Sequence, residues 1–292
     1  MEYTEKNIRI KCNDEVELGA ILLVPEMPEG VIQFNCGTGA KKEFYLSFLK
    51  FLAKNGFICC LWDYRGSGDS APTSLKNCNY RFSDYGMKDM PSVKYYLQQK
   101  YPNLPFFILA HSAGGQQIGL MHDLTGIQGM ICFAVSVGYP WYMPLGYRLL
   151  TLFFFYLFTP VSIFLKGYVD AKRFNIMEDL PKNVALEWRD WCSKPNYLFD
   201  KNFMGKSIPK GNFENYTFPI QVFWTSDDPI SNKKSIPTFW KHLNSNQGIQ
   251  IKEVAPKNYQ QKYIGHFGFF KKKMKDNLWK ETLQQLNLWL KK

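Results

Sequence analysis

Apolar residues in the first half of the chain fall into short unbroken runs, with polar or glycine-bearing connections and helical-period stretches between them. Runs at residues 8–12 and 16–24 flank an Asn13-Asp14 turn, and further runs occupy 30–36, 57–62, 106–110 and 129–135. Each is short for a helix, and several are apolar at consecutive positions, the pattern of strands covered on both faces. Between them, residues 41–55 repeat Phe44, Phe48 and Leu52 on one helical face and stop at Asn55-Gly56. A second helix, capped by Ser83 or Asp84, ends near Pro102. Such alternation predicts an α/β chain with a mostly parallel sheet flanked by helices. The alternation lapses at Gly138 and resumes near Pro219. A strand at 220–225, a helix at 233–243, a strand at 249–254 and a helix at 271–292 follow, the last carrying Met274, Leu278, Leu286 and Trp289 or Leu290 on one face. The expectation is an eight-stranded core domain, 1–137 and 219–292, with a helical cap inserted at 138–218.

The insertion contains an uncharged run at 149–165, bracketed by Arg148 and Lys166 and interrupted by Pro160. It sits at the short edge for a membrane span. A span would also put a bilayer between the two halves of the sheet. The expectation is two short helices roofing an apolar pocket, with membrane contact through the cap as the less favoured alternative.

Composition narrows the class. The 292 residues are 46% hydrophobic and 17% aromatic, which excludes a disordered chain. Net charge is +11, from 36 basic and 25 acidic residues, with basic clusters at Lys233-Lys234, Lys271-Lys272-Lys273 and Lys291-Lys292. These read as a solvated basic face. No zinc knuckle, RNA-binding aromatic signature or basic-region zipper accompanies them, so no nucleic-acid partner is expected. The seven cysteines (12, 36, 59, 60, 78, 132 and 192) contain no C-x-x-C pair and lie largely in apolar runs, as buried free thiols do in a reducing compartment. Met1 to Lys6 includes no apolar leader run, and the expected location is cytoplasmic. Oligomeric state is not legible.

The stretch Phe106-Phe107-Ile108-Leu109-Ala110-His111-Ser112-Ala113-Gly114-Gly115-Gln116-Gln117 carries the candidate chemistry. A buried strand runs into a serine followed by small residues, the form of a sharp strand-to-helix turn that exposes a nucleophile. Serine needs a base near neutral pH. His111 adjoins Ser112 but points elsewhere on the turn; His122 lies farther along the following helix; His242 sits in a charged, solvated helix. His266 remains, in Ile264-Gly265-His266-Phe267-Gly268-Phe269-Phe270, between the last strand and last helix at the carboxyl edge of the sheet. Asp227 and Asp228 follow the preceding strand, and Asp228 is preferred as the carboxylate that orients the base. The oxyanion hole would combine the Ala113 N–H with one from the loop Gly37-Thr38-Gly39-Ala40; Ala40 and Thr38 are not separated, and Ala40 carries the assignment. There is no H-E-x-x-H and no complete dinucleotide fingerprint, so neither metal nor cofactor is expected.

These residues resemble the α/β-hydrolase superfamily, and more closely a bacterial family related to serine aminopeptidases and monoglyceride lipases. The likeness runs through Thr38-Gly39, Asp63-Tyr64-Arg65-Gly66-Ser67-Gly68-Asp69-Ser70, His111-Ser112-Ala113-Gly114-Gly115-Gln116, Glu178-Asp179-Leu180-Pro181, Trp188, Trp191 and Gly265-His266-Phe267-Gly268-Phe269-Phe270. Alanine at 110 replaces the glycine usual there. The resemblance implies the α/β-hydrolase fold and a Ser112–Asp228–His266 triad in that chain order, with no particular substrate. The leading expectation is a serine hydrolase of a small-molecule carboxylic ester with an apolar acyl part. The alternatives are aminopeptidase-like or other amide or C–C hydrolysis, for which Glu178, Asp179 or Glu187 would anchor an amine, and non-catalytic binding of a lipid or partner.

Overall fold

The computed structural model of the protein describes residues 1–291. Strands β1 (Tyr3–Lys11), β2 (Glu17–Pro25), β3 (Gly30–Asn35), β4 (Phe57–Trp62), β5 (Phe106–His111) and β6 (Ile127–Phe133) precede residue 138. The two-residue strands β7 (Tyr168–Val169) and β8 (Leu180–Pro181) pair with each other, and β9 (Ile220–Trp224) and β10 (Ile249–Glu253) complete the main sheet. Its order is β1-β2-β4-β3-β5-β6-β9-β10. Strands β1 and β2 close an antiparallel hairpin over a short turn, where Cys12 N–H donates to the Val16 carbonyl at 2.8 Å. Strand β2 also lies antiparallel to β4, and all later pairings are parallel. This is the eight-stranded, mostly parallel sheet the apolar runs imply. Every residue of β3, β4 and β5 is buried, whereas edge strand β10 is largely exposed and carries Gln250, Lys252 and Glu253.

The helices are α1 (Leu46–Ala53), α2 (Met90–Lys100), α3 (Ala113–Gln116), α4 (Leu145–Phe153), α5 (Thr159–Lys166), α6 (Lys182–Cys192), α7 (Ser235–Trp240) and α8 (Lys280–Leu290). Neighbouring β3 residues point to opposite faces of the sheet. Phe34 meets Phe48 of α1, and Phe48 in turn meets Trp279 at the start of the last helix. Gln33 hydrogen-bonds the Met90 carbonyl at the start of α2. The sheet is therefore covered on both sides, with β5 near its middle.

Two local expectations fail. Residues 145–166 form one continuous helix of 22 residues, not two short ones. Pro160 sits in the first turn of α5, directly after a wide π-helical turn at Phe154–Phe158, where its missing N–H is tolerated. After the serine, α3 spans only four residues and a 3₁₀ turn at Ile118–Leu120 ends the helical path, so His122 lies on an exposed bend. Residues 200–218 return to the core: Asn212 N–H donates to the Gly119 carbonyl, and Tyr216 bridges to Ser245.

A tight backbone crossing lies below the serine turn. A Cβ at Gly114 would approach the Asn35 carbonyl oxygen to 2.3 Å and that of Cys36 to 2.6 Å. Both atoms belong to backbone that cannot give way. Gly114→Ala is expected to lower stability by about 3 kcal/mol, read as a fall in the urea midpoint with an unchanged m-value.

Candidate active site

Strand β5 delivers Ser112 onto its turn in a backbone conformation of φ 49° and ψ −122°, which non-glycine residues rarely adopt. The Ser112 N–H donates to the Phe133 carbonyl at 2.9 Å, and the Ser112 carbonyl accepts from Gly115 and Gln116. These bonds hold a conformation that costs on the order of 1–3 kcal/mol by itself. The result is a half-buried Oγ above the carboxyl end of the sheet.

The loop after β10 brings His266 to the serine. His266 Nε2 lies 3.0 Å from Ser112 Oγ, and its Nδ1 lies 2.7 Å from Asp228 Oδ2. His266 is 7% exposed and Asp228 2%. The other Asp228 oxygen accepts the N–H groups of Ile230 (2.7 Å) and Ser231 (3.0 Å), so the carboxylate is held on both sides. Asp227 has a different place. It accepts from Ile264 N–H at 2.7 Å, Gly265 N–H at 2.9 Å and the Thr225 hydroxyl at 2.8 Å. It therefore ties the histidine loop to the end of β9, a role the Asp-Asp pair alone does not reveal.

A second chain of hydrogen bonds runs behind the serine. Gly37 N–H donates to Tyr45 Oη at 3.1 Å; Tyr45 Oη lies 2.8 Å from His111 Nδ1; His111 Nε2 lies 2.9 Å from the His266 carbonyl. A carbonyl only accepts, so His111 Nε2 carries the proton and Nδ1 accepts from the tyrosine hydroxyl. Burial, followed by the neighbouring His266, pushes the His111 pKa well below the ordinary range, consistent with a neutral ring. His111 thus links the Gly37–Ala40 loop to the backbone of His266. Neither link was legible in the sequence.

The assignment of Ala40 to the oxyanion hole is corrected. Its N–H donates to the Gly37 carbonyl at 3.2 Å and closes the loop's own turn. Thr38 and Gly39 face the cavity instead. Among the described residues, the Ala113 and Thr38 N–H groups have no backbone acceptor. The base of the loop is pinned by a buried lysine that sequence reading missed. Lys42 Nζ contacts Asp63 at 2.7 Å and Asp69 at 2.6 Å, and the Asp69 N–H also donates to Asp63. Arg65 of the same motif is bound by Asp89 and Asp14. The Asp63–Ser70 motif is thus a brace.

Ser112 and His266 open into a cavity of about 500 Å³. Its walls include Tyr147, Leu150 and Phe154 of the long helix, Met177, and Trp188 of α6. Among the described residues, no Asp, Glu, Lys or Arg lines it. The three carboxylates considered as amine anchors are elsewhere. Glu187 accepts from Ser83 N–H and Oγ and pairs with Arg81. Glu178 is buried between Lys41 and Lys172, and Asp179 accepts from Lys172 N–H. The expectation of a solvated His242 is also corrected: its ring stacks on Phe199 at 4.4 Å. All seven cysteines are free, and burial raises the thiol pKa values, that of Cys60 to about 12.

A serine on a strained turn at the centre of this sheet, facing a histidine and a carboxylate, belongs to the α/β-hydrolases, and the protein is an enzyme of that class. The profile of the serine aminopeptidase S33 family matches residues 26–190, and the chain belongs to that family. No curated protein matches the sequence. A soluble variant of monoglyceride lipase from Saccharomyces cerevisiae, solved with a substrate analog, is 16% identical over 99% of this chain and 94% of its own, with a TM-score of 0.64. An esterase from Pyrococcus furiosus is 15% identical over 99% and 92%, with a TM-score of 0.61. A thermostable carboxyl esterase from Bacillus coagulans is 14% identical over 99% of each chain, with a TM-score of 0.59. At these identities the likeness is one of fold.

The two aspartates should separate kinetically. Asp228→Asn is expected to reduce kcat by about 10⁴-fold, as loss of the orienting carboxylate does in other serine triads. Asp227→Asn replaces one of the two oxygens that accept the Ile264 and Gly265 N–H groups with an amide NH2, which loosens the His266 loop, for about 10- to 100-fold. Steady-state rates on a p-nitrophenyl ester would rank them, and a larger loss for Asp227→Asn would reverse the roles.

Proposed function

We propose that the protein is a serine hydrolase of carboxylic esters with an apolar acyl part, working through an acyl-enzyme on Ser112. The ester carbonyl enters the cavity beside Ser112 Oγ. His266 Nε2 takes the hydroxyl proton as Oγ attacks, and Asp228 holds the Nδ1–H and stabilises the imidazolium. The N–H groups of Ala113 and Thr38 receive the developing oxyanion. Collapse breaks the ester C–O bond, and His266 returns the proton to the leaving alcohol. Water then repeats the sequence on the acyl-enzyme and releases the acid.

One observation carries the substrate class: the cavity that holds Ser112 and His266 has aromatic and aliphatic walls and no charged side chain. An amine-bearing peptide would leave its charge uncompensated there. An acyl chain would remove apolar surface from water at roughly 25 cal/mol per Å². We read the helical part of the insertion as a cap whose α4, π turn and α6 form the acyl-binding wall. Of the aromatic residues in that run, Phe153, Phe154 and Phe155 line the cavity, whereas Phe158 packs against Phe154 and Phe174 outside it.

A fluorophosphonate should add one label to the wild type and none to Ser112→Ala by intact mass; equal labelling of both would remove Ser112 from the mechanism. Phe154→Ala is expected to raise KM for a p-nitrophenyl octanoate about tenfold, and for the acetate by much less. Phe158→Ala should change this ratio less. A KM indifferent to chain length in the wild type would exclude the apolar acyl site.

A further inference from the structure

The helix at residues 145–166 has an unusual exposure pattern for a soluble core. Only 22% of its most apolar stretch is buried. Its inner face, with Phe154, Phe155, Thr159 and Ser162, packs inward, with both phenylalanines meeting Trp188. Its outer face presents Leu149 (58% exposed), Phe153 (50%), Tyr156 (53%), Leu157 (55%), Phe164 (88%) and Leu165 (69%). Arg148 and Lys166 are the charged side chains of the helix, near its two ends. A patch of this size on an otherwise charged protein marks a contact surface.

The cavity's own ligand does not cover it. Phe153 touches the cavity, but Phe164 lies about 16 Å farther along the helix axis. Charge chooses among the remaining occupants. At the C-terminal end, exposed Lys166 and Lys76 lie close together, since Lys76 packs on Gly167, and exposed Arg173 adjoins Phe174, which meets Phe158 of the same helix. The acidic groups nearby are engaged or withdrawn. Glu178 is buried between two lysines, Asp179 accepts from Lys172 N–H, and Asp170 is half-buried. At the N-terminal end, Arg148 lies 4.9 Å from the ring of Trp141, itself 55% exposed. Two copies of this chain laid face to face would bring like-charged ends together, against a net charge of +11. An apolar face with basic ends and an exposed tryptophan suits the headgroup region of an anionic bilayer.

We propose that the outer face of helix 145–166 docks on an anionic lipid surface, with the helix lying in the plane of the interface. A span is excluded by the inner face: Ser162 Oγ donates to the Tyr168 carbonyl and accepts from Asp170 N–H, and the packing on Trp188 fixes the same side to α6. The cavity mouth opens on this face, since Leu150, Phe153 and Ile176 both line the cavity and are exposed. An apolar ligand could therefore enter from the lipid without crossing water. Membrane contact thus gains over the expectation of a water-facing roof. It does not depend on the ester reading, because its test measures binding.

The test is flotation of the full-length chain with vesicles of phosphatidylcholine alone or mixed with phosphatidylglycerol. The wild type should float with the anionic vesicles and poorly with the neutral ones. Leu157→Glu/Phe164→Glu, both outside the cavity, should reduce flotation about tenfold or more while keeping the wild-type circular dichroism spectrum and thermal midpoint, which shows that it is folded. Lys76→Glu/Lys166→Glu should reduce anionic binding about tenfold with the apolar face intact. No flotation of the wild type, equal flotation on neutral vesicles, or a double variant that floats like the wild type would each overturn the proposal. A wild-type dimer by light scattering, broken by Leu157→Glu/Phe164→Glu without any lipid binding, would assign the face to a second copy instead.

Discussion

The site depends on one close approach, that of the turn after β5 to the end of β3. Gly114 lies against the carbonyls of Asn35 and Cys36, so the turn cannot relax downward, and Ser112 is held at positive φ above it. The same approach places the loop after β3 beside the Ala113 N–H. Ser112, the Ala113 and Thr38 N–H groups and the histidine loop are therefore positioned by backbone packing in the buried middle of the sheet. Alanine at 110 is wholly buried within β5, and the close approach falls at Gly114.

Around that crossing, buried polar groups are paired in a way that ties loops together. Gly37, Tyr45, His111 and the His266 carbonyl form one hydrogen-bonded line, and Asp227 secures the other side of the His266 loop. Lys42 sits buried between Asp63 and Asp69, where removing the lysine would leave the buried Asp63 without its ion-pair partner. These groups do not touch the cavity's reacting atoms with the exception of His266. They act by restricting where the loops can be, which matters because small displacements of a nucleophile or base are costly in rate.

The insertion obeys a different balance. Its inner side is fastened through Phe154, Phe155, Trp188 and the Glu187 contacts with Arg81 and Ser83, while its outer side stays apolar and uncovered. An uncharged cavity opening through an apolar face gives ligand and surface the same solvent preference. That continuity, more than any single contact, links the proposed acyl site to the proposed interface.

Much of this was legible in residue order. Unbroken apolar runs of strand length, separated by helical-period stretches, determined a mostly parallel eight-stranded sheet, because side-chain burial on two faces is a local property of each run. The small residues around Ser112 and the glycine-flanked His266 marked the site for a similar reason: tight turns restrict residue type locally. The tertiary structure decided what depends on partners distant in sequence. Whether Thr38 or Ala40 has a free N–H is set by how the loop closes on Gly37. Whether Glu187 is an anchor or a brace is set by Arg81 and Ser83, about a hundred positions away. Pro160 reads as a break until a π turn beside it accommodates the missing donor. And an apolar run is equally apolar whether it is buried or exposed; only the packing of α6 and the core settled which side of residues 145–166 faces outward.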